Sequence, residues 1–373
     1  MASTLRSGII GTGFMGEVHA HAVRAAGGAV SAVAGRTTAS AERDAAALGA
    51  LHAAASPEAL IEREDVDVVH ICTPNATHAQ YAKLALAAGK AVICEKPLAT
   101  SVGDATELAD LAQRHGSVAA VPFVYRFYPA VREARGLVAR GEAGRLWLLH
   151  GSYLQDWLAS PQATNWRVDP AAGGASRAFG DIGVHWCDLM EFVTGQRITR
   201  LVASMSQAFA DRGGEGGSFP VATEDGATVL FETDQGATGS VVVSQVSPGR
   251  KNRLWFSFDG TEASLSFDQE QPDTLWVGRT DAARQIPVGP DTLATDGGRR
   301  YARLPAGHPQ GYQDSFNAFV ADVYEAVRGN APDGLPTFAD GLRAAQLTQA
   351  LVTSAHEGEW ASVPVHDKVF TII

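Results

Sequence analysis

The chain has 373 residues, a formal net charge of −11 and 19% charged residues. This length exceeds what one ordinary hydrophobic core organises, so two domains are expected. The negative charge argues against a nucleic acid or an anionic membrane as the main partner, because both repel an acidic surface. A phosphorylated cofactor stays compatible with it, since a single helix N-terminus binds phosphate inside an acidic protein.

The three cysteines, at positions 72, 94 and 187, offer no disulfide framework. No Cys or Cys/His spacing typical of a zinc site occurs, so no metal is expected. No apolar stretch approaches the roughly 20 residues of a membrane helix. Residues 1–7 lead directly into the first predicted strand, which leaves no room for a signal peptide. We therefore expect a cytoplasmic protein.

The first 122 residues alternate strand-like and helix-like segments. The apolar, β-branched runs typical of buried strands are SGIIGTG, AVSAVAGR, VDVVHICTP, AVICEKP and SVAAVPFV. Alanine-rich segments of helical period lie between them, near 15–26, 40–48, 76–88 and 101–115. Repeated β-α units with short connections predict an α/β fold with a parallel, doubly wound sheet over residues 1–122.

The pattern changes after Phe123, which predicts a second domain over residues 123–373. Long alternating runs with hairpin signals predict an α+β domain with a large open, mainly antiparallel sheet. One face of this sheet is expected against helices and the other against another subunit. GGEGG at 213–217 is interpreted as a flexible loop. Helices are predicted near 129–140, 181–194, 311–328 and 338–357.

Residues 11–16 read Gly-Thr-Gly-Phe-Met-Gly, between a predicted strand and a predicted helix. In this context Gly11 permits a tight turn, Gly13 lets a pyrophosphate approach the backbone, and Gly16 lets helix and strand pack closely. The N–H groups of the helix start then face the phosphates. The motif by itself is a weak signal, but in this context the turn, with Phe14 and Met15, predicts a dinucleotide site.

The end of the second strand bears on the choice between NAD and NADP. NAD enzymes usually carry an acidic residue there, about 20 residues beyond the turn, to bind the ribose 2′-hydroxyl. This chain has Gly35-Arg36-Thr37 instead. The Arg36 guanidinium and the Thr37 hydroxyl suit a 2′-phosphate, so NADP is favoured. NAD, use of both dinucleotides, and a plain surface arginine remain the alternatives.

Two further segments end predicted parallel strands, at the edge where ligands bind in such sheets. Thr73, Pro74 and Asn75 end one strand and His78 begins the next helix; cofactor contact and an ordinary turn are both open interpretations for them. Glu95-Lys96-Pro97 ends another strand and places a cation where the reacting end of a dinucleotide is expected.

The segment GDIGVHWCDLMEFVTG places Asp181, His185 and Asp188 on one stripe of a predicted helix. A carboxylate one turn from a histidine orients the imidazole and stabilises its protonated form, as a general base requires. His185 is therefore the predicted base, and Lys96 the cation that stabilises charge on the reacting oxygen. This hypothesis requires the helix to lie against the carboxyl edge of the first domain's sheet; a solvated Asp/His face is the alternative.

Polar and aromatic residues near these elements are candidate substrate contacts. A tryptophan ring with amide, carboxylate and guanidinium neighbours suits the apolar face and the hydroxyls of a sugar, although a tryptophan in a sheet is more often core. The candidates are Tyr125, Arg126, Gln155, Asp156, Trp157, Asn165, Trp166, Arg167, His308 and Tyr312.

Over nearly its whole length the chain resembles the Gfo/Idh/MocA family, which includes glucose–fructose oxidoreductase and inositol dehydrogenases. Glu-Lys-Pro together with the Asp-x-x-x-His helix is far more specific for this family than the glycine turn. The resemblance implies a Rossmann domain followed by an α/β domain whose open sheet often serves oligomerisation. It also implies Lys96, Asp181 and His185 as the catalytic set and a cis Lys96–Pro97 bond. The segments that carry it are GTGFMGEVHA at 11–20, TPNATH at 73–78, CEKP at 94–97, GDIGVHWCDL at 180–189 and TFADGLRAA at 337–345.

Within the family, VYRFYPAV, GSYLQDW and NWRVDP resemble members that use NAD to oxidise the C3 hydroxyl of a levoglucosan-like pyranose ring. By that resemblance Tyr125, Gln155, Trp157 and Arg167 contact the substrate. The expected protein is an NAD(P)-dependent dehydrogenase or reductase of a sugar or a cyclitol, in a homodimer or homotetramer. A redox-neutral enzyme that cleaves glycosides and a non-catalytic dinucleotide or sugar sensor are the alternatives.

Overall fold

The computed structural model describes residues 3–214 and 217–365. The chain divides into two compact units. The first comprises the described residues of Met1–Val124 and Tyr312–Ala345, and the second those of Tyr125–Gly311 and Gln346–Ile373.

The N-terminal part of the chain alternates strands and helices. Its strands are β1 (Arg6–Ile10), β2 (Ala29–Ala34), β3 (His52–Ala53), β4 (Val68–Ile71), β5 (Ala91–Cys94) and β6 (Ala119–Ala120). Its helices are α1 (Phe14–Ala25), α2 (Thr38–Leu48), α3 (Pro57–Ile61), α4 (His78–Ala87) and α5 (Val102–His115). The sequence analysis does not predict β3 and α3, because elements of two and five residues are too short to show a period.

The middle of the chain begins with α6 (Pro129–Ala139), β7 (Leu146–Leu154) and α7 (Pro170–Gly173). A π-helical turn, Phe179–Gly183, then leads into α8 (Val184–Thr194). A series of strands follows: β8 (Ile198–Ser206), β9 (Asp211–Gly214), β10 (Gly217–Pro220), β11 (Gly226–Thr233), β12 (Thr238–Ser244), β13 (Arg253–Gly260), β14 (Ser264–Asp268), β15 (Thr274–Gly278) and β16 (Ala283–Pro287). The remaining elements are α9 (Asp296–Tyr301), α10 (Tyr312–Val327), α11 (Phe338–Glu357) and β17 (Ala361–Ser362).

The glycine-rich segment predicted as a loop belongs partly to strands. Gly213 and Gly214 in β9 pair antiparallel with Ser218 and Gly217 in β10. Backbone pairing thus orders positions that glycine content alone marks as flexible. Residues 215 and 216 lie outside the described residues.

The sheet of the first unit has six strands in the order β3-β2-β1-β4-β5-β6, and its pairings are parallel. This confirms the predicted doubly wound parallel sheet. The chain moves outward in one direction from β1 to β3 and in the other from β4 to β6. Ligands of such sheets bind at the carboxyl ends of the strands on either side of this reversal. The glycine turn follows β1, and the segment beginning at Thr73 comes shortly after the end of β4.

Residues 312–345 pack with the first unit, although the sequence analysis places them in the second domain. Gln313 Nε2 of α10 donates to the Val18 carbonyl of α1 at 3.2 Å, and the Phe316 ring packs 4.9 Å from the ring of His19. The Val121 amide donates to Pro336 O at 3.2 Å. These residues return to the first unit through tertiary contacts between segments far apart in sequence. No local sequence pattern predicts such contacts.

The sheet of the second unit has nine strands in the order β16-β15-β14-β13-β7-β12-β11-β8-β17. Its pairings are antiparallel except for the parallel pair β12–β7. This confirms the prediction of a mainly antiparallel sheet. Alternate side chains of β13 are buried, which marks one covered face. Trp186 of α8 donates to the Trp255 carbonyl at 2.9 Å, so this helix packs on the sheet. Within the described ranges no helix has the length and apolarity needed to cross a bilayer.

Candidate functional site

The glycine turn after β1 requires glycine for steric reasons at two of its positions. Gly11 has φ +101°, and a Cβ there would lie 2.6 Å from Cys72 O. A Cβ on Gly16 would lie 2.3 Å from Gly11 O. At Gly13, the residue that caps α1, a Cβ meets no atom of the described residues within 4 Å. The open space at Gly13, next to the N–H groups of the α1 N-terminus, fits the pyrophosphate of a dinucleotide.

The turn is anchored by a carboxylate that the sequence analysis missed. Thr12 Oγ1 donates to Asp44 Oδ2 of α2 at 2.6 Å. This bond, together with the one from Arg43, lowers the pKa of Asp44. Asp44 comes from a different helix, so only the fold brings it to the turn.

Arg36 and Thr37 stand between β2 and α2, and both are exposed. Thr37 caps α2: its Oγ1 accepts the Ser40 amide at 3.2 Å, and Ser40 Oγ accepts the Thr37 amide at 3.1 Å. Accepting a bond does not use the Thr37 hydroxyl proton, which can still be donated to a ligand. Phe14 is 69% exposed at the start of α1, and Met15 is partly buried.

His78 joins the segment after β4 to the segment after β5. Its Nδ1 lies 2.7 Å from Pro97 O and its Nε2 lies 2.8 Å from Thr73 O. Burial lowers the pKa of His78, and the two carbonyl contacts, which favour the doubly protonated ring, act in the opposite direction. Sequence analysis proposes His78 as a cofactor contact; in the structure both ring nitrogens are directed at the protein backbone. Asn75 and Pro74 lie in the segment that His78 holds.

Glu95 is buried beside Lys96, and both of its carboxylate oxygens face protein donors. Oε1 lies 3.0 Å from His19 Nε2, and Oε2 accepts the Lys96 amide at 3.2 Å. Burial favours the neutral acid, but the His19 bond and the surrounding charges outweigh it, so the pKa of Glu95 lies below its usual range. The Lys96–Pro97 bond is cis, as the resemblance implies.

In the second unit, the π-helical turn presents Asp181 to two partners. Gln245 Nε2 donates to Oδ2 at 2.8 Å, and Arg167 Nε lies 3.3 Å from Oδ1. Gln245 is fully buried and was not among the residues predicted from the sequence. Asp188, predicted to share a stripe with Asp181, instead forms a buried ion pair with Arg126. The π-helical turn changes the residue spacing, so the predicted regular stripe is not kept.

The turn that carries Asp181 is itself capped by the buried carboxylate of Glu224. Its oxygens accept the Ser176 hydroxyl at 2.7 Å and the amides of Arg177 and Phe179, both at 3.0 Å. Such charge-assisted bonds satisfy the N–H groups that a helix start leaves open. Glu224 therefore fixes the backbone from which Asp181 projects.

His185 is buried among aromatic side chains. The Tyr125 ring meets it edge-on at 5.1 Å between centroids, and the Tyr153 ring lies at 6.4 Å. The two tyrosine hydroxyls are hydrogen-bonded to each other. Burial, and to a smaller extent the negative charge of Asp181, raises the pKa of Tyr125 to about 12. Tyr125 is therefore neutral at physiological pH, which keeps its hydroxyl a hydrogen-bond donor.

A hydrogen-bonded row connects three of the predicted substrate contacts. Tyr153 OH and Gln155 Nε2 both donate to Asn252 Oδ1 at 2.7 Å. Trp157 Nε1 donates to Gln155 Oε1 at 2.8 Å. The row thus runs from Tyr125 to Trp157 and includes Tyr153 and Asn252, which the sequence analysis did not single out. It is named here the Tyr125–Trp157 row.

The other predicted substrate residues lie in different surroundings. The Arg167 guanidinium stacks 4.4 Å from the centre of the Trp166 ring. Asp156 pairs with Lys251 at 2.7 Å. His308 is exposed on a turn, with Nδ1 3.1 Å from Pro305 O of the same turn. Tyr312 begins α10 in the first unit. Within the described residues no cluster of three or more His, Cys, Asp or Glu side chains suits a metal ion.

Comparison with known proteins matches both parts of the chain to one family. Residues 5–123 match the model of the Gfo/Idh/MocA oxidoreductase family, NAD-binding Rossmann fold, and residues 131–266 match the Gfo/Idh/MocA C-terminal domain. Levoglucosan dehydrogenase of Pseudarthrobacter phenanthrenivorans is 32% identical over 96% of this chain and 98% of that protein. The solved structure of levoglucosan dehydrogenase with NADH and levoglucosan has a TM-score of 0.91 at 30% identity, covering 97% of this chain and 100% of that one. An inositol dehydrogenase homologue from Azotobacter vinelandii, with NADH and myo-inositol, has a TM-score of 0.85 at 27% identity, covering 97% and 98%.

Proposed function

The chain belongs to the Gfo/Idh/MocA family of oxidoreductases, and we propose that it is an NAD(P)-dependent dehydrogenase or reductase of a pyranose sugar or glycoside. The reacting group is a secondary hydroxyl or the corresponding ketone, with C3 of a levoglucosan-like ring favoured. The observation that supports this most directly is the environment of His185. The Tyr125–Trp157 row lies on one side of its ring, and both carboxylate oxygens of Asp181, in the preceding turn, have polar partners.

The first unit carries the residues proposed to hold the dinucleotide. The α1 N-terminus and the space at Gly13 suit the pyrophosphate, and Arg36 with Thr37 suits a 2′-phosphate. NADP is therefore favoured and NAD is the alternative. A bound nicotinamide supplies the hydride acceptor in oxidation and the hydride donor in reduction.

His185, Asp181 and Lys96 are proposed to act in one reaction. In oxidation His185 takes the proton of the substrate hydroxyl, and the hydride leaves the carbon that carries this hydroxyl. In reduction His185 returns a proton to the oxygen. Asp181 stabilises the protonated imidazole through its charge. The Lys96 ammonium stabilises the negative charge that develops on the reacting oxygen. The proton released in oxidation passes from His185 to solvent.

The second unit carries the residues proposed to bind the sugar. Trp157 is 36% exposed, so its ring offers an apolar surface, while Tyr125, Gln155 and Arg167 offer polar groups to hydroxyls. A cyclitol presents a similar ring of secondary hydroxyls, and the likeness to an inositol dehydrogenase homologue makes a cyclitol the second candidate.

The proposal includes a cytoplasmic homodimer or homotetramer. Large apolar side chains are exposed on strands of the nine-stranded sheet: Trp147, Leu230, Val242 and Trp276. Exposed apolar side chains on an open sheet favour association with a second copy. Light scattering on the purified protein tests this part, and a monomer at micromolar concentration contradicts it.

The test of the enzymatic proposal is nicotinamide absorbance with NAD and NADP over levoglucosan, glucose, glucosides, xylose and inositols. Reduction with a pyranose, abolished by His185→Ala and by Lys96→Ala, is the expected result. Dinucleotide that survives gel filtration while a glycoside is cleaved without net reduction supports the redox-neutral alternative. Tight binding without any turnover supports the sensor.

A further inference from the structure

A continuous chain of buried polar groups runs through the first unit and ends at Glu95. Tyr324 OH lies 2.7 Å from Ser7 Oγ, and Ser7 Oγ lies 3.0 Å from His70 Nε2. His70 Nδ1 lies 2.9 Å from His19 Nδ1, and His19 Nε2 lies 3.0 Å from Glu95 Oε1. Four of these residues are fully buried, and Glu95 is 7% exposed. The chain connects α10, β1, β4, α1 and the segment after β5.

These residues occupy positions where apolar side chains are the ordinary choice. His70 lies in β4, whose residues are all buried, and Ser7 lies in a buried part of β1. Burying polar groups is unfavourable unless each finds a partner, and an apolar core avoids the problem. A connected row of five such residues therefore indicates a task beyond packing.

A single direction of hydrogen bonds along the row satisfies the chemistry of each group. The Glu95 carboxylate only accepts, so His19 Nε2 carries a hydrogen and donates it. In a row of one direction, His19 accepts at Nδ1 and His70 donates from its own Nδ1. Burial lowers the pKa of His70 well below its usual range, so its ring is neutral and its Nε2 accepts from Ser7. Ser7 in turn accepts from Tyr324, whose pKa burial raises to about 12.

In this arrangement all the donors point the same way, from Tyr324 towards Glu95. The other Glu95 oxygen accepts the backbone N–H of Lys96 at 3.2 Å. The carboxylate thus connects the buried row to the peptide that carries the Lys96 side chain. Neighbouring bonds of one direction polarise and strengthen each other in a low-dielectric interior.

We propose that His19 and His70 are positioning residues for Lys96, which act by holding the Glu95 carboxylate in one orientation through this one-directional row. The proposal rests on the role of Lys96 in the proposed function. A displacement of about 1 Å at a catalytic group lowers turnover by as much as 100-fold. The row therefore serves turnover rather than the affinity for sugar or dinucleotide.

The direction of the row is tested on the wild-type protein by nitrogen-15 NMR of its histidines. The expected result is a single ring hydrogen on Nε2 of His19 and a single ring hydrogen on Nδ1 of His70. The His19→Gln and His70→Gln variants assign the signals. Reversed tautomers, or a charged ring in either residue at neutral pH, overturn the proposal. This readout does not depend on activity, so it stays informative even if the proposed dehydrogenase function fails.

The positioning role is tested by comparing His19→Leu with His19→Gln. Leucine removes both bonds, whereas the glutamine amide donates to Glu95 and accepts from His70 in the same direction. The expected result is a kcat at least ten-fold lower in His19→Leu, with the sugar KM and the dinucleotide Kd within about three-fold of wild type. His19→Gln is expected to recover most of kcat. His21→Leu, an exposed residue of the same helix, is the control.

Two outcomes of this comparison overturn the positioning role. One is a kcat within two-fold of wild type in a folded His19→Leu. The other is an equal loss in His19→Leu and His19→Gln. If His19→Leu does not fold, Ser7→Ala interrupts the row with a smaller change, and a kcat equal to wild type in that variant overturns the proposal. Wild-type protein without dehydrogenase activity refutes the proposed function instead.

Discussion

Gln245 Nε2 donates to Asp181 Oδ2 at 2.8 Å, while Arg167 Nε lies 3.3 Å from the other oxygen of the same carboxylate. Each carboxylate oxygen therefore has its own partner, and the two contacts together fix the orientation of the carboxylate. Gln245 is fully buried, so its side chain is shielded from bulk solvent. The orientation of Asp181, and with it the electrostatic support that we propose for His185, therefore depends on a residue that has no proposed part in the chemistry.

Gln245→Leu is expected to lower kcat about ten-fold. A hydrogen bond to a charged group contributes roughly 1.5–3 kcal/mol, and about 1.4 kcal/mol corresponds to one decade in rate. Steady-state kinetics with the confirmed substrate measures the effect. Gln196→Leu is the matched control, because Gln196 is also buried and accepts from Thr233 Oγ1 at 2.6 Å, away from Asp181. Equal kcat in the two variants contradicts the role of Gln245.

Arg36→Ala is expected to lower kcat/KM for NADP at least ten-fold and to leave the value for NAD within about two-fold. The reason is that only NADP carries the 2′-phosphate that a guanidinium binds through charge-assisted bonds. Initial rates with each dinucleotide at a fixed sugar concentration measure this. Arg114→Ala, on the exposed surface of α5, should change neither value. An equal loss of kcat/KM with both dinucleotides would show that Arg36 does not bind the 2′-phosphate.

Tyr125→Phe is expected to raise the sugar KM several-fold and to leave the pH profile of kcat/KM unchanged. The loss of one hydroxyl removes bonds to Tyr153 and Asn252, each of which contributes about 1 kcal/mol. The pKa of Tyr125 is about 12, so this tyrosine does not ionise in the assay range. A pH profile that loses its titrating limb in this variant would make Tyr125, rather than His185, the proton acceptor.

Asp225→Asn is expected to lower the free energy of unfolding by about 3–5 kcal/mol at pH 7, because it leaves buried arginines without their counter-ion. Asp225 accepts from Arg212 at 2.7 Å and also pairs with Arg177, and both arginine side chains are fully buried. Burial acts to raise the pKa of Asp225, but the two arginine bonds outweigh it and hold the pKa below 3.8.

The pH dependence of this effect follows from the direction of the shift. A carboxyl whose pKa is lower in the folded state contributes its full stability above its unfolded pKa and loses it as the pH falls through the folded value. The difference in the free energy of unfolding between wild type and Asp225→Asn should therefore be constant above about pH 5. It should shrink as the pH falls below 3.8. Thermal unfolding from pH 3 to 8 measures it. Asp296→Asn, at a fully exposed carboxylate, is the control; a gap that widens in acid contradicts the account.

Local patterns predict the first unit well because its strands are buried runs and its helices are periodic. The glycine turn, Arg36 and the Glu95-Lys96-Pro97 segment are all at strand ends, so the parallel topology alone brings them to one edge. The return of α10 to this unit was not predicted, because it depends on contacts such as Ser7 with Tyr324 that are 317 residues apart.

The partners of the predicted site residues were harder to find. Asn252 and Gln245 lie next to alternating strands, where a polar residue is usually on the solvent face. Their roles depend on which strand lies beside which, and period-two alternation does not give that order. His70 did carry a signal, since it is a titratable residue inside an otherwise apolar strand. Such a residue in a buried run indicates a partner, although the sequence does not name it.

The central claim is that a hydride moves between a secondary ring carbon of a pyranose and the nicotinamide. The most direct measurement is mass spectrometry of the dinucleotide formed from pyranoses deuterated at one ring carbon at a time, C3 of levoglucosan first, with NADP and NAD in parallel. The account predicts one deuterium in each reduced nicotinamide when the label is on the reacting carbon. After His185→Ala it predicts no reduced dinucleotide. A dinucleotide that stays oxidised, or one that is reduced without gaining deuterium from any ring carbon, would contradict it.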